Sequence, residues 1–518
     1  MEDFNISRVI TRNSFFRLLT YGVTLISTIL YVRFVIKYLG IEVYGLWGLA
    51  SLIISTSSII NFGFINALTK ETAHIDGGDK NYVVIKFLLK GCDVFYILAG
   101  IITFPIIFGF RNSITLHIFG VKDTQGAILA HLIVAMVPLT IIYLSATSRR
   151  AVVEGFQEIH YASILALLGR LINFALSIIL IFTGMGVWSL YTASFVENFT
   201  LLVAFSRKIS IRLKNQKSTF YLRSKPRLRE LVIRNLIYGF NIQISSIASI
   251  GLEFFYKVFI TQRFGLESVG YFQVVWRAQQ MLQGAMSSAM SPLFPASAFY
   301  IAKGNAFELK SLYKKSVKYA WLFAFGVFLI FIPFSGEILK LWIGQTSSFQ
   351  IFTFQMLCAG VIFTSLATPA YMFILGSGSS EYITLTNVLS LFFSFISSFI
   401  FADLLASQLS WMCVGISYLL GATVSFTVIV GSMVKIFKWN ITELLFSSLP
   451  SLRFIIATMF LGFIVLVYKL AGLIHGYVNR YIALLIIVIS FLGLLMIEVI
   501  KGDRRLKNLM VKFVKGGL

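Results

Sequence analysis

Long apolar runs govern what this chain can fold into. Fourteen of them follow one another, near residues 14–36, 44–66, 84–109, 127–148, 163–184, 187–206, 234–260, 269–298, 318–341, 350–375, 382–402, 411–434, 452–472 and 481–500. A bilayer core about 30 Å thick takes roughly 20 apolar residues of helix to cross, so each run is long enough to span one. The 518 residues are 58% hydrophobic and only 13% charged, whereas a water-soluble domain is nearer a quarter charged. The deficit is chain-wide, so no large extramembrane domain is hidden among the runs. The expectation is an all-α integral membrane protein of about fourteen transmembrane helices, with twelve as the alternative count. The stretch Met1 to Ser14 is short and polar, without a small-residue cleavage site, and reads as leading into an uncleaved first helix.

Lys and Arg in the loops set the topology. With the N-terminus inside, cytoplasmic segments hold thirty of them and the opposite loops six: Lys37, Arg111, Lys122, Arg263, Lys340 and Arg480. Both termini are therefore expected in the cytoplasm. The net charge of +23 has its source in this asymmetry, which sets nucleic acid aside as a partner. One connection stands apart. From Arg207 to Arg234 it carries ten cations against one acid, Glu230, and it follows the sixth run. It reads as a linker that touches anionic headgroups.

An internal repeat supports two halves on either side of that linker. Leu39-Gly40-Ile41-Glu42-Val43-Tyr44-Gly45-Leu46-Trp47 follows the first run, and Phe264-Gly265-Leu266-Glu267-Ser268-Val269-Gly270-Tyr271-Phe272 follows the seventh, 225 residues on. Six helices separate the copies, an even number, so the two halves share an orientation and are related by a pseudo-twofold along the membrane normal. The expected division is 1–206 for an N-terminal lobe, 207–233 for the linker, 234–434 for a C-terminal lobe, and 435–518 for two further helices and a basic tail.

Ionisable residues inside spans are costly and usually face a cavity or a partner. The cations so placed are Arg17, Arg33, Lys86, Lys90, Arg170, Lys257, Arg277 and Lys469, and the acids include Asp93, Glu197, Glu253 and Glu498. Helical spacing sorts them. In the eighth run Gln273, Arg277, Gln280, Gly284, Ser287 and Ser291 share a face; in the seventh, Ser246, Ser249, Glu253 and Lys257 do. The first run carries Arg17, Tyr21, Thr24 and Thr28, the second Ser51, Ser55 and Ser58. The first two helices of each half thus present polar faces, which suggests one water-filled cavity. The duller reading is that hydroxyls bond their own backbone, that Glu253 and Lys257 pair structurally at i, i+4, that Asp93 neutralises Lys90, and that Arg170 pairs with Glu197. Asp93, Glu197 and Glu253 are the candidate proton or cation couplers. A cavity richer in Arg and Lys than in acid attracts an anion, and the guanidinium fork suits phosphate.

Several chemistries find no support. Cys92, Cys358 and Cys413 show no paired spacing and the five histidines are scattered, so no disulfide framework, metal site or cofactor is expected. No Gly-rich nucleotide loop points to ATP hydrolysis. The outer loops are too short for the catalytic segment of a membrane glycan polymerase or ligase, so no enzymatic activity is expected.

With these features the chain resembles the Wzx-type polysaccharide flippases. They belong to the MOP superfamily, which also holds the multidrug and toxic compound extruders and the lipid II flippases. The resemblance rests on the Leu39–Trp47 turn and on Gly155-Phe156-Gln157 with Tyr161. It continues in Leu293-Phe294-Pro295-Ala296-Ser297, the Lys-rich segment after it and Leu312-Tyr313. It implies two six-helix lobes around a central cavity, with the last two helices as an addition, in a bacterial inner membrane. It also implies a substrate, a polyprenyl-pyrophosphate-linked oligosaccharide moved to the outer leaflet by ion-coupled alternating access for O-antigen-like polysaccharide biosynthesis. The headgroup would sit among Arg17, Arg33, Lys257 and Arg277, lined by Tyr21, Thr24, Thr28, Ser249, Gln273 and Gln280, with the tail in lipid. Other glycan-assembly membrane proteins are the further partners implied. Within the superfamily, a drug-cation exporter would show acids dominating its cavity, the reverse of this chain; lipid II, also a pyrophosphate, is the nearer alternative.

Overall fold

The computed structural model describes residues 22–61, 64–75, 82–156, 158–214, 225–344, 346–405, 410–440, 448–475 and 480–502. Arg17 and Tyr21 lie outside them. The described secondary structure is helical throughout. Among the described residues eight helices are long and apolar enough to cross a membrane, and nine if one bent pair counts as a single span. Three shorter apolar helices, Ile41–Ser55, Leu452–Val465 and Ala483–Glu498, accompany them.

The second run is bent, and its apolar helix, Ile41–Ser55, is shorter than a full span. It is divided into α2 (Ile41–Ala50), α3 (Leu52–Ser55), α4 (Ser57–Ile60) and α5 (Phe64–His74), after α1 (Gly22–Leu39). Each seam carries a side chain that bonds the local backbone. Ser51 Oγ donates to Gly48 O at 2.9 Å, Thr56 Oγ1 donates to Ile53 O at 2.7 Å, and Asn61 Oδ1 accepts from Ile65 N at 3.3 Å. Such local bonds compete with the helix ladder and bend it.

The chain resolves into two compact units, Met1–Val274 and Val275–Leu518. In the first, α5 packs with α6 (Tyr82–Ser113), α7 (Asp123–Gly155), α8 (Ile159–Phe182) and α9 (Trp188–Lys214). Their core is built from Leu68, Ile85, Tyr96, Leu144, Val152 and Phe205. The next element, α10 (Lys225–Met290), passes from the first unit into the second and has a corner at Gly265. In the second unit α11 (Leu293–Ala302) and α12 (Ala306–Gly326) lead through a π-helical turn, Val327–Phe331, to α13 (Ser335–Ile343), with a bend of 73° at that break. Then come α14 (Ser348–Ser377), α15 (Ser380–Leu404) and α16 (Cys413–Phe437), sharing a core of Tyr313, Ala370, Phe373, Ile383 and Val430. Exposed Phe87, Ile101, Ile102, Phe182, Phe460 and Phe463 are the residues such helices turn toward acyl chains.

The last pair, α17 (Leu452–His475) and α18 (Arg480–Gly502), is moored within the second unit at the level of α12 and the π-helical turn. Phe454 and Phe491 pack with Leu322 and Leu329. Beside them Glu498, 4% exposed, accepts from Lys318 Nζ at 2.6 Å, from Ser451 N at 3.0 Å and from Ser451 Oγ at 2.6 Å. Removing one partner of so enclosed a pair leaves a stranded charge. Glu498→Ala is expected to lower stability by about 2–3 kcal/mol, read as a lower thermal midpoint in detergent.

The repeat is visible in the backbone. Gly40 has φ 88 and ψ 164, and Gly265, its counterpart, has φ 81 and ψ 176. This is a region essentially closed to residues with a Cβ. The second glycines of the two copies make reciprocal approaches. A Cβ on Gly45 would lie 2.8 Å from Leu266 O, and one on Gly270 would run into Ile41 O. Since Ile41 and Leu266 are themselves matched positions, each copy presses its glycine on the other's first helical carbonyl.

Candidate functional site

The site begins with a lysine that has no exposure. Lys257, on the first part of α10, is 0% exposed. Its ammonium donates to Glu253 Oε1 at 2.7 Å and to Gly48 O at 2.9 Å. Glu253 is one turn earlier, and its side chain keeps 16% of its exposure. A buried cation is tolerated only when paired and hydrogen-bonded, and the i, i+4 spacing provides the first partner while the seam of the second helix provides the other. Gly48 O already accepts Ser51 Oγ, so its carbonyl serves both the seam and the lysine.

Two glutamines complete the cluster. Gln273 is 7% exposed and packs against Gly48, and its Oε1 is buried without a hydrogen-bond partner. Gln243 Nε2 donates to Ile59 O at 2.6 Å, beside the seam at Asn61. Gln243 precedes Lys257 by fourteen residues, close to four helical turns, so both project from one side of α10 onto the segmented helix. Sequence reasoning missed Gln243 and the two carbonyls. The four-turn spacing was the available signal.

The second part of α10 keeps its own order in the second unit. Gln279 Nε2 donates to Tyr418 OH at 2.7 Å, Thr364 Oγ1 donates to Gln283 Oε1 at 2.6 Å, and Trp276 meets Tyr418 edge-on. These contacts turn one face toward α14 and α16. Arg277 and Gln280 fall on the exposed side. Among the described residues no carboxylate forms a salt bridge with Arg277.

The other predicted residues are placed as follows. Arg33 is exposed on α1. Thr28 Oγ1 donates to Thr24 O at 2.8 Å, and Ser249 Oγ donates to Ser245 O at 3.1 Å, so these hydroxyls are satisfied within their own helices. Glu197, 8% exposed, faces Arg170 at 3.8 Å. Asp93 requires a correction. It is held by Arg149 of α7, Nη1 to Oδ1 at 2.9 Å and Nη2 to Oδ2 at 2.7 Å, while Lys90 is exposed. A bidentate guanidinium matches a carboxylate better than a lysine one turn away can. Nearby, Tyr96 OH donates to Asn61 Oδ1 at 3.1 Å and meets Ser148 Oγ at 3.1 Å, which ties the seam at Asn61 to α6 and α7. Among the described residues no cluster of His, Cys, Asp and Glu could hold a metal.

Known proteins give this arrangement its context. The chain is 23% identical over 385 residues to a "Putative O-antigen transporter" of Shigella flexneri, covering 72% of this chain and 86% of that one. An inward-facing MATE family transporter of the MOP superfamily superposes with a TM-score of 0.68 at 16% identity, over 82% of this chain and 99% of that one. The lipid II flippase MurJ in an inward closed conformation gives 0.67 at 13% identity, over 96% of this chain and 99% of that one. A MOP superfamily transporter from Pyrococcus furiosus, described as having a binding pocket of reverse polarity, gives 0.63 at 17% identity, over 84% and 96%. These likenesses fix a MATE-like fold. Residues 10–300, more than half of the sequence, match the family described as polysaccharide biosynthesis protein, and the chain belongs to that family.

Proposed function

We propose that the protein is a transporter, not an enzyme, and that it flips a polyprenyl-pyrophosphate-linked oligosaccharide from the cytoplasmic to the outer leaflet. The family and the O-antigen transporter relative support a glycan precursor as cargo. The observation that carries the reading is Lys257, a fully buried cation inside a membrane protein, with a second cation, Arg277, exposed beyond the corner at Gly265. Such groups are expensive in a bilayer and persist where they have a task. The pyrophosphate would be received by Lys257, Arg277, Arg33 and Arg17, and the polar neighbours Tyr21, Thr24, Thr28, Ser249, Gln273 and Gln280 would contact sugars or water. Glu253, Asp93 and Glu197 are the candidate coupling groups, with Lys257, Arg149 and Arg170 beside them.

The finer architecture belongs to the same proposal. About fourteen helices would form two six-helix lobes with a pseudo-twofold, a reading supported by the reciprocal glycine contacts. Two more helices would follow, supported by the greater coverage of this chain by the lipid II flippase than by the MATE transporter. Both termini would be cytoplasmic, and transport would proceed by alternating access. The test is deletion of the gene in its host. Lipid-linked oligosaccharide should accumulate in the cytoplasmic leaflet and surface glycan should disappear, both restored by the intact gene. Normal surface glycan without accumulation would refute the reading.

A further inference from the structure

We propose that Lys257 is a displaceable pin: held by Glu253, its ammonium fastens α10 to the segmented second helix, and an arriving pyrophosphate unfastens it by competing with Glu253. The inference rests on the reading of the substrate given above and adds the element that the substrate sets in motion.

The second helix is the one with bends to hinge on. At Ser51 and Thr56 a hydroxyl bonds the backbone one turn back, at 2.9 and 2.7 Å, which bends a helix, while the main-chain ladder runs on through both residues. Among the described residues of α10, Lys257 holds it at Gly48 O and Gln243 at Ile59 O. Gln243 is neutral and gives an anion no charge to pull on. Lys257 is charged, and Glu253, a carboxylate one turn away, is paired with it at 2.7 Å. Phosphate oxygens are acceptors of the same kind carrying more charge, so they can replace that carboxylate around the ammonium.

The exposure of the pair is uneven in a useful way. Lys257 is wholly covered, whereas the Glu253 side chain retains 16%. An incoming anion therefore meets the pair at its carboxylate. Glu253 then acts as a built-in stand-in for the headgroup, keeping the lysine charged and placed when no cargo is present, and weakening cargo binding enough to permit release. Gln273 points to a second arrangement. Its buried Oε1 lacks a donor where it lies against Gly48, the residue whose carbonyl the ammonium holds. Buried acceptors without a donor are rare, and an ammonium drawn off the Gly48 carbonyl has a hydrogen to give.

The experiment uses the full chain in nanodiscs with farnesyl pyrophosphate, inorganic pyrophosphate and farnesol as probes. Glu253→Gln should bind farnesyl pyrophosphate on the order of tenfold more tightly than wild type, and Glu253→Asp should shift the same way by less. Lys257→Met should lose the binding. Amide exchange across residues 48–61 should rise in wild type with either pyrophosphate but not with farnesol. If both Glu253 variants bind as wild type or more weakly, or if farnesol alone raises the exchange, the pin is wrong. Loss of binding in Lys257→Met with Glu253→Gln unchanged would sink the pin and leave the pyrophosphate site standing. Undiminished binding in Lys257→Met would overturn both.

Discussion

Gly270→Val is expected to abolish complementation of a deletion strain and to lower stability by about 1–3 kcal/mol. The Cβ it adds runs into Ile41 O and would lie 2.9 Å from Ile41 Cγ1. Overpacking of this size usually costs that much when side chains can yield, and here one of the opposing atoms is backbone. The matched Gly45→Val should behave alike, since its Cβ meets Leu266 O at 2.8 Å and Gly270 N at 3.1 Å. The functional loss should exceed the loss of protein, because the two repeat copies could no longer close on each other. Gly91 is the control. It lies inside α6 with nothing within 4 Å of a built Cβ, so Gly91→Ala should export glycan normally and gain up to about 1 kcal/mol from helix propensity. Membrane abundance, melting and surface glycan measured on the three variants separate these outcomes. Normal export by Gly270→Val would show that the reciprocal contact is dispensable.

The second large effect concerns the cations. Lys257→Ala and Arg277→Ala should each cut surface glycan by at least about tenfold, the effect of losing one charge-assisted bond to phosphate. They should differ in what they do to the protein. Arg277 is exposed and has no salt-bridge partner among the described residues, so Arg277→Ala should melt as wild type does. Lys257→Ala empties a fully buried position and leaves Glu253 without its counter-ion. A loss of roughly 3–5 kcal/mol is expected when a buried pair is broken from one side. Arg277→Lys should recover part of the export, because a point charge remains but the planar fork is gone. Full export by both alanine variants at normal abundance would remove the cationic site from the account.

Much of this fold is written in local features. The hydropathy runs reflect the thickness of the bilayer, and the repeat rests on glycines that the turn itself demands: Gly40 and Gly265 must take a backbone conformation that other residues avoid. The Glu253–Lys257 pair is likewise local, one turn of one helix. The rest depended on the rotation of helices against each other, which periodicity does not encode. Asp93 faces Arg149 across two helices instead of Lys90 on its own. The acceptors for Lys257 and Gln243 are main-chain carbonyls, and any residue has one. Their exposure to a partner follows from seams in the second helix, which three ordinary residues, Ser51, Thr56 and Asn61, produce. The same seams made that run short as a continuous helix although its hydropathy reads as one span.

Transport of a pyrophosphate requires water to reach charged side chains at membrane depth, and thiol access at position 277 tests that most directly. The native cysteines, Cys92, Cys358 and Cys413, are all buried and would be replaced by alanine before Arg277→Cys is introduced. The new thiol should react with a charged, membrane-impermeant reagent in vesicles, and farnesyl pyrophosphate should slow the reaction. Labelling only by an apolar maleimide, with the charged reagent inert from either side, would place position 277 against acyl chains and leave the pyrophosphate without a receptor.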